Sequence, residues 1–395
     1  MEARALRIGV CGLGRGFVLT AGALLGDPRM TLVAAAEPRP DARARFEREL
    51  GGRVYPSIDG LCADPDVDVV YVASPHALHA RHAIAAAGAG KHVLVEKPMA
   101  LTLADCRAMV EAAREAAVAL LVGPSHGFDG PVALAAGMIA GGDYGAPRMA
   151  TSLNFTDFLY RPRRPDELDT GQGGGVIFNQ APHQVDVIRR LIGAPVHSVR
   201  AVAGSWDQAR PTEGAYAALL TFAGGAVASL TYSGYGRFDS DEFCGWFDEL
   251  GAPKDPGAYG LARRALASGA DEAALRQARS YGESGLPAPA GGRAHEHFGV
   301  VIVSCEKADL RLTAEGVMIY GAGERRLHRL APPKFPRGEV IDALWAAVVE
   351  GRAPLHDGAW GLATLEVCLA ILASSREGRE IELTHGARAV RTDNG

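Results

Sequence analysis

Four short apolar runs stand in the first quarter of the chain: Leu6 to Val10, Met30 to Ala36, Val67 to Ala73 and His92 to Val95. Each is followed by a stretch with helical spacing: Phe17 to Leu25, Pro40 to Leu50, His79 to Ala87 and Thr102 to Ala116. Shorter pieces at Val54-Tyr55, Ser57 to Cys62 and Ala119 to Gly123 continue the alternation. A strand that is apolar on both faces belongs inside a parallel sheet with helices on either side. The first 125 residues are therefore predicted to form a doubly wound α/β domain.

The turn after the first strand reads Gly12-Leu13-Gly14-Arg15-Gly16-Phe17. Glycines there permit a tight turn and let backbone N–H groups approach a pyrophosphate at the N-terminus of the next helix, as in a Rossmann domain. The spacing is imperfect, because the third small position falls on Phe17, and a plain glycine-rich turn is the alternative. Glu37 ends the second strand, where a carboxylate meets the ribose 2′-hydroxyl of NAD and repels a 2′-phosphate. Arg39 would pair with that phosphate, so the expectation is NAD with NADP not excluded.

Two more strand ends share the carboxyl edge, where ligands of open α/β sheets sit. One is Ser74-Pro75-His76 with His79, the other Glu96-Lys97-Pro98. Both join the predicted cofactor contacts. Lys97 is either half of a solvated Glu-Lys pair or a proton carrier, because a lysine pKa falls on burial. His76, His126 and Asp186 read as structural.

Beyond Ser125 the pattern changes. A helix near Pro131 to Ala140 precedes runs at Ala146 to Phe155, Val196 to Ala203, Ala215 to Phe222 and Gly225 to Tyr235. Several alternate polar and apolar residues, the mark of an antiparallel sheet covered on one face. Residues 245–295 read as an insertion or lid with little hydrophobic signal. Strands return at Phe298 to Cys305, Asp309 to Thr313 and Gly316 to Tyr320, and amphipathic helices close the chain at Gly338 to Glu350 and Trp360 to Glu377. The expected domains are 1–125 for the nucleotide and 126–395 for substrate and oligomerisation, an α+β domain with a mostly antiparallel open sheet. The helices of 335–395 have the option of packing back on the first domain.

Composition narrows the function. A net charge of −5 without a basic stripe argues against nucleic acid, and no apolar run of about 20 residues suggests a membrane span. Six scattered cysteines without a C-x-x-C pair suggest reduced thiols, a cytoplasmic protein and no metal site.

Gly12-Leu13-Gly14-Arg15, Glu96-Lys97-Pro98 and the stretch Gly173-Gly174-Gly175-Val176-Ile177-Phe178-Asn179-Gln180-Ala181-Pro182-His183-Gln184-Val185-Asp186 together resemble the Gfo/Idh/MocA oxidoreductase family over nearly the whole length. The resemblance implies an NAD(P)-dependent dehydrogenase with Lys97 and His183 beside the nicotinamide, and a homo-oligomer, dimer or tetramer, formed through the C-terminal sheet. Asn179 stands where the family often has Asp, and Ala181 where it often has Gly. The missing carboxylate points away from a simple sugar dehydrogenase. The segment from Asn154 to Pro165, the Asn179-to-His183 variant, His297-Phe298-Gly299 and Val303-Ser304-Cys305-Glu306 are similar to one subgroup, the phthalate 4,5-cis-dihydrodiol dehydrogenases.

That chemistry sends a hydride to the nicotinamide and the hydroxyl proton to a base. Lys97 is the predicted acid/base, and His183 the relay or orienting partner. Asn179 is placed to hydrogen-bond substrate, at i−4 from His183 on one helical face. Arg161, Arg163 and Arg164 are the predicted grip on a substrate carboxylate, or else a basic surface loop. The expected reaction turns a carboxylated cis-dihydrodiol into a catechol, acting on a CH–OH or CH–CH donor in aromatic catabolism. The alternatives are a sugar or inositol dehydrogenase, and a non-catalytic nucleotide-binding regulator.

Overall fold

The computed structural model describes residues 4–283, 286 and 294–384. Part of the predicted insertion, 284–285 and 287–293, lies outside the described residues. The described chain divides into two compact units. One comprises residues up to Pro124, with 273–289 and 335–365; the other comprises the rest.

The first unit is built on six parallel strands: β1 (Leu6–Cys11), β2 (Met30–Ala36), β3 (Arg53–Tyr55), β4 (Val69–Val72), β5 (His92–Val95) and β6 (Leu120–Val122). Their order is β3-β2-β1-β4-β5-β6, and the chain starts in the middle and winds outward in both directions. Ile8, Val10, Val69, Val70, Val93, Leu94 and Val95 are fully buried, as strands covered on both faces require. Helices Arg15–Gly26, Pro40–Leu50, Ile58–Ala63, His79–Gly88 and Leu103–Glu115 link the strands. Thr102 caps the last of them, its hydroxyl accepting from the Asp105 amide at 3.0 Å.

The second unit holds a nine-stranded sheet: β7 (Pro147–Phe155), β8 (Val196–Gly204), β9 (Ala215–Phe222), β10 (Val227–Ser233), β11 (Val300–Cys305), β12 (Asp309–Thr313), β13 (Gly316–Tyr320), β14 (Arg325–Arg329) and β15 (Ile381–Glu382). The order is β14-β13-β12-β11-β7-β10-β9-β8-β15. All neighbours run antiparallel except β7 with β10. Helices Gly130–Ala140 and Ala181–Ile192 cover one face, sealing a core that includes Val185, Ile188, Leu220, Leu230 and Val303.

Three sequence expectations need correction. The closing helix is not amphipathic: Gly358–Glu377 is buried all round from Trp360 to Leu365 and again from Val367 to Cys368. It is long and apolar enough to cross a membrane by length and composition, but most of its apolar window is packed inside the protein. The 245–295 segment is not without hydrophobic anchors. Tyr281 is fully buried, its ring edge-on to Phe17 and Phe46 and its amide donating to the Leu13 carbonyl at 3.1 Å. Finally, Asn179 and His183 do not share one helix. Gly175–Asn179 stops, Gln180 leaves helical geometry at φ −120°, and a new helix starts at Ala181 with Pro182 in its first turn. Proline has no N–H to continue a helix and fits only at its start.

Candidate active site

In the first unit a cradle forms at the carboxyl end of the sheet. Gly12 has φ +98°, and a Cβ there would lie 2.9 Å from the Ala73 carbonyl oxygen, so no other residue fits. Gly14 precedes the helix Arg15–Gly26, and a Cβ on it would meet nothing within 4 Å, leaving open room above the turn. No side chain caps this helix start, and the positive end of a helix dipole there favours an anion. Gly16 packs onto Glu96, where a Cβ would stand 3.0 Å from Oε1. Phe17 is wholly buried, so it has only its backbone to offer a cofactor.

Glu37 closes the cradle. Its Oε2 accepts from the Leu13 amide at 2.8 Å, and its Oε1 accepts from Arg39 Nε at 2.8 Å. Arg39 also donates to the Leu13 carbonyl. Burial pushes the Glu37 carboxyl up, but the Arg39 side chain and the Leu13 and Arg39 amides outweigh it and hold the group below the usual carboxylate range. The carboxylate is therefore ionised at the strand end, with Arg39 bound to it. Together with the open turn at Gly14, these residues fit a dinucleotide with an unmodified ribose.

Lys97 stands two residues past the end of β5 and is half-buried, ahead of a cis peptide to Pro98. Glu96 and His79 are both engaged inside the protein. Glu96 is buried, accepting from the Tyr71 hydroxyl at 2.7 Å and pairing with Arg337 at 3.3 Å, because a carboxylate inside the protein needs partners. His79 is fully buried, with Nδ1 2.9 Å from the Pro98 carbonyl and Nε2 2.8 Å from the Ser74 carbonyl. It braces the two strand ends, and burial pushes its imidazole down. Ser74 is held through its hydroxyl by His82 at 2.9 Å. His76 is half-buried beside the His79 ring, and Pro75 is exposed.

In the second unit two glycines of the triplet are required by close neighbours: a Cβ on Gly174 would stand 2.6 Å from the Glu167 carbonyl oxygen, and Gly175 meets Glu213. Gly175 has φ +73°, and a Cβ on it would fall 2.1 Å from Glu213 Oε1. That buried carboxylate accepts from the Ile177 amide at 3.2 Å and from the Thr170 hydroxyl. Burial raises its pKa, against those hydrogen bonds. Asn179 is buried and donates to the Gly175 and Gly173 carbonyls at 2.7 and 3.3 Å, fastening the turn. His183 is buried, its ring 5.0 Å from Phe298 and 4.7 Å from the His126 ring. His126 in turn sits 2.7 Å from the Asp129 carboxylate. The sequence reading takes His126 as structural and does not name Asp129, for which the His-x-x-Asp spacing after a strand is the one available signal.

The three arginines are already engaged. Arg161 Nε donates to Asp157 at 2.9 Å, and Nη1 lies 4.0 Å from Glu249. Arg163 stacks 3.5 Å over the Phe158 ring and donates to the Phe158 carbonyl, while Glu272 takes its amide. Arg164 pairs with Asp166 through two bonds of 3.0 Å. The charges of Arg161 and Arg163 both act on Tyr232, the ring that stacks on Phe298, which lies 5.0 Å from the His183 ring.

Residues 6–124 match the GFO_IDH_MocA model, an oxidoreductase family with an NAD-binding Rossmann fold, and residues 132–244 match the GFO/IDH/MocA C-terminal domain. The 1-carboxy-3-chloro-3,4-dihydroxycyclohexa-1,5-diene dehydrogenase of Comamonas testosteroni is 46% identical over 393 residues, covering 98% of this chain and 97% of its own. A solved structure from Bordetella bronchiseptica RB50, described no further than as a dehydrogenase, superimposes with a TM-score of 0.91 at 42% identity, over 96% of this chain and 100% of its own. The WlbA dehydrogenase of Bordetella pertussis, in complex with NADH and UDP-GlcNAcA, is more distant, with a TM-score of 0.67 at 25% identity over 96% and 99% of the two chains.

Proposed function

The chain belongs to the Gfo/Idh/MocA oxidoreductase family, and from that membership we propose that it oxidises a carboxylated cis-dihydrodiol of the phthalate type to a catechol, using NAD. The observation that carries this reading is the 46% identity with a carboxylated dihydroxycyclohexadiene dehydrogenase, sustained over nearly the full length of both chains.

The bound nicotinamide supplies the hydride acceptor. Lys97, as the free amine, takes the proton of the reacting hydroxyl and becomes an ammonium while the carbinol carbon gives up its hydrogen with the electron pair. The resulting hydroxyenone shifts one ring proton to oxygen and becomes aromatic, which draws the reaction forward. His183 orients the reacting oxygen and passes the proton onward. Arg161 meets the ring carboxylate, taking over a charge that Asp157 balances in its absence. The exposed apolar side chains on the uncovered face of the nine-stranded sheet support a homo-oligomer formed there. Free thiols and the use of NAD fit the cytoplasm.

NADH absorbance tests the reading with cis-dihydrodiols that carry or lack a ring carboxylate, beside inositols and sugars. The carboxylated dihydrodiols should turn over fastest and yield a catechol, and Lys97→Ala should lose about 100-fold or more in kcat. Faster oxidation of an inositol or sugar, or a Lys97→Ala enzyme near wild-type turnover, would defeat it.

A further inference from the structure

Phe17 falls where a dinucleotide-binding turn closes on a small residue, and its ring has to be received elsewhere. It is wholly buried, with the Tyr281 ring edge-on at 5.6 Å and the Phe46 ring at 6.4 Å. Tyr281 also stands edge-on to Phe46 at 6.4 Å, so three rings meet: one from the helix Arg15–Gly26, one from the helix Pro40–Leu50 and Tyr281 itself. Edge-to-face pairs stabilise beyond the area they bury. The polar end of Tyr281 is tied as well. Its hydroxyl donates to Glu49 Oε2 at 3.0 Å, and Arg45, which pairs with Glu49 at 2.7 Å, lies 5.5 Å over the ring. Arg45 Nη1 donates to the Gly282 carbonyl at 3.0 Å. Gly282 has φ +112°, and a Cβ on it would stand 3.1 Å from the Ala42 Cβ, so glycine lets the chain lie close against the helix Pro40–Leu50.

This anchorage delivers one backbone hydrogen bond to the glycine turn. The Tyr281 amide donates to the Leu13 carbonyl at 3.1 Å, beside Arg39 Nη2 at 3.1 Å, while the Leu13 amide donates to Glu37 Oε2 at 2.8 Å. Leu13 lies between Gly12 and Gly14 and is wholly buried. Its carbonyl shares a planar peptide unit with the Gly14 N–H. The cis peptides among the described residues are Lys97-Pro98 and Gly123-Pro124, so this unit is trans and the two groups point in opposite directions. Holding the carbonyl on Tyr281 and Arg39 therefore aims the Gly14 N–H away from them, in a turn that has open room around Gly14. A carbonyl oxygen turned toward a pyrophosphate repels it, and one committed to two donors stays turned away.

We propose that Tyr281 is a positioning residue of the cofactor site: by holding the Leu13 carbonyl it aims the Gly14 N–H at the pyrophosphate of NAD. The proposal rests on NAD as the cofactor and is independent of which alcohol is oxidised. It gives part of the 245–295 segment a task in nucleotide binding, far along the chain from the turn it serves. The large side chain of Phe17 is then the docking partner of Tyr281 and not a defect of the fingerprint. A turn held ready in its binding conformation gains affinity, because less order has to be imposed when the ligand arrives.

Binding measurements on the full chain test this, with ADP-ribose and adenosine each displacing NADH as followed by nicotinamide fluorescence. Tyr281→Ala should weaken ADP-ribose about tenfold or more, the size of one hydrogen bond to a charged group. NADH should dissociate faster by a similar factor, since affinity differences among variants of one site lie mostly in the off-rate. Adenosine, which has no phosphate, should bind as it does to wild type. Tyr281→Phe keeps the amide and the three rings, and should restore ADP-ribose binding. Equal weakening of ADP-ribose and adenosine would show a general loosening and overturn the proposal, as would unchanged ADP-ribose binding in Tyr281→Ala. If that variant does not fold, Gly282→Ala carries the same comparison, because its methyl presses on Ala42 without opening a cavity among the rings. Wild type that binds neither NADH nor ADP-ribose would defeat the cofactor reading and the proposal together, whereas wild-type binding with an indifferent Tyr281→Ala defeats the proposal alone.

Discussion

Glu37 ties together three parts of the cofactor cradle: the Leu13 amide, the Arg39 guanidinium and the end of β2. Replacing it with alanine releases Arg39 from its ion pair at the place where a 2′-phosphate would lie. Glu37→Ala should therefore raise the NADP-to-NAD ratio of kcat/KM about tenfold or more, equivalent to about 1.4 kcal/mol. Steady-state kinetics with both cofactors checks this, and an unchanged ratio would show that Glu37 does not select. The same residue makes stability depend on pH. Its folded-state pKa is depressed, so its contribution is complete above the unfolded value of about 4.3 and is lost as pH falls through the folded value. Urea midpoints should fall less steeply with acid in Glu37→Gln than in wild type. Among the arginines, Arg161→Met should raise KM for a carboxylated dihydrodiol about tenfold with kcat little changed, while Arg164→Met, whose charge is already paired with Asp166, should leave both near wild type. Equal effects from the two would remove Arg161 from the carboxylate grip. Composition could not foretell this difference, because Glu249 and Glu272, which engage the loop, lie far along the chain.

The strand β5 and the helix Gly338–Val348 are joined by one buried network. Arg337, just ahead of that helix, adopts φ +63°, costly for a side chain other than glycine, and donates to Thr20 Oγ1 at 3.0 Å and Glu96 Oε1 at 3.3 Å. Arg337→Met leaves the Glu96 charge in the interior with the Tyr71 hydroxyl still bonded to it. The expected cost in urea unfolding is about 3–5 kcal/mol, and adding Glu96→Gln should return part of it, because the pair then leaves together. A double variant less stable than the single would count against this account. Elements of this kind separate what the chain declared in advance from what it concealed. The parallel strands were legible because each is apolar on both faces, and Lys97 because proline marks the end of its strand. The strand β14, Arg-Arg-Leu-His-Arg, was not, since a charged edge strand has no buried alternation to reveal it. The break at Gln180 was concealed by counting a helical period across Pro182. The His126–Asp129 pair escaped because three residues of tight turn carry no period at all.

At the scale of the whole chain, 126–395 does not form one continuous block: 273–289 and 335–365 belong to the nucleotide-binding unit, and the helix Gly358–Glu377 changes unit along its length. Tyr281 shows why local reading fails there, since one aromatic in a weakly patterned segment is enough to anchor it on Phe17 and Phe46. The nine-stranded sheet has the opposite character, with alternation that is plain in the sequence and an uncovered face whose purpose is not. Register places Arg200, Leu219, Ser229, Thr151, Ile302, Arg311 and Met318 in one row across β8, β9, β10, β7, β11, β12 and β13. Leu219 is 49% exposed, with Val202 at 64% and Met149 at 50% on the same face. Large apolar side chains exposed on three strands of one face suit an interface between copies, and their exposure is unfavourable in water. A charge at the middle of that face should therefore separate the copies without touching the core. Leu219→Glu should reduce the mass measured by light scattering to that of the 41.4 kDa protomer, with the thermal transition of the isolated chain retained. Wild-type protein that is already monomeric at micromolar concentration, or a Leu219→Glu oligomer of unchanged mass, would place the assembly surface elsewhere or abolish it.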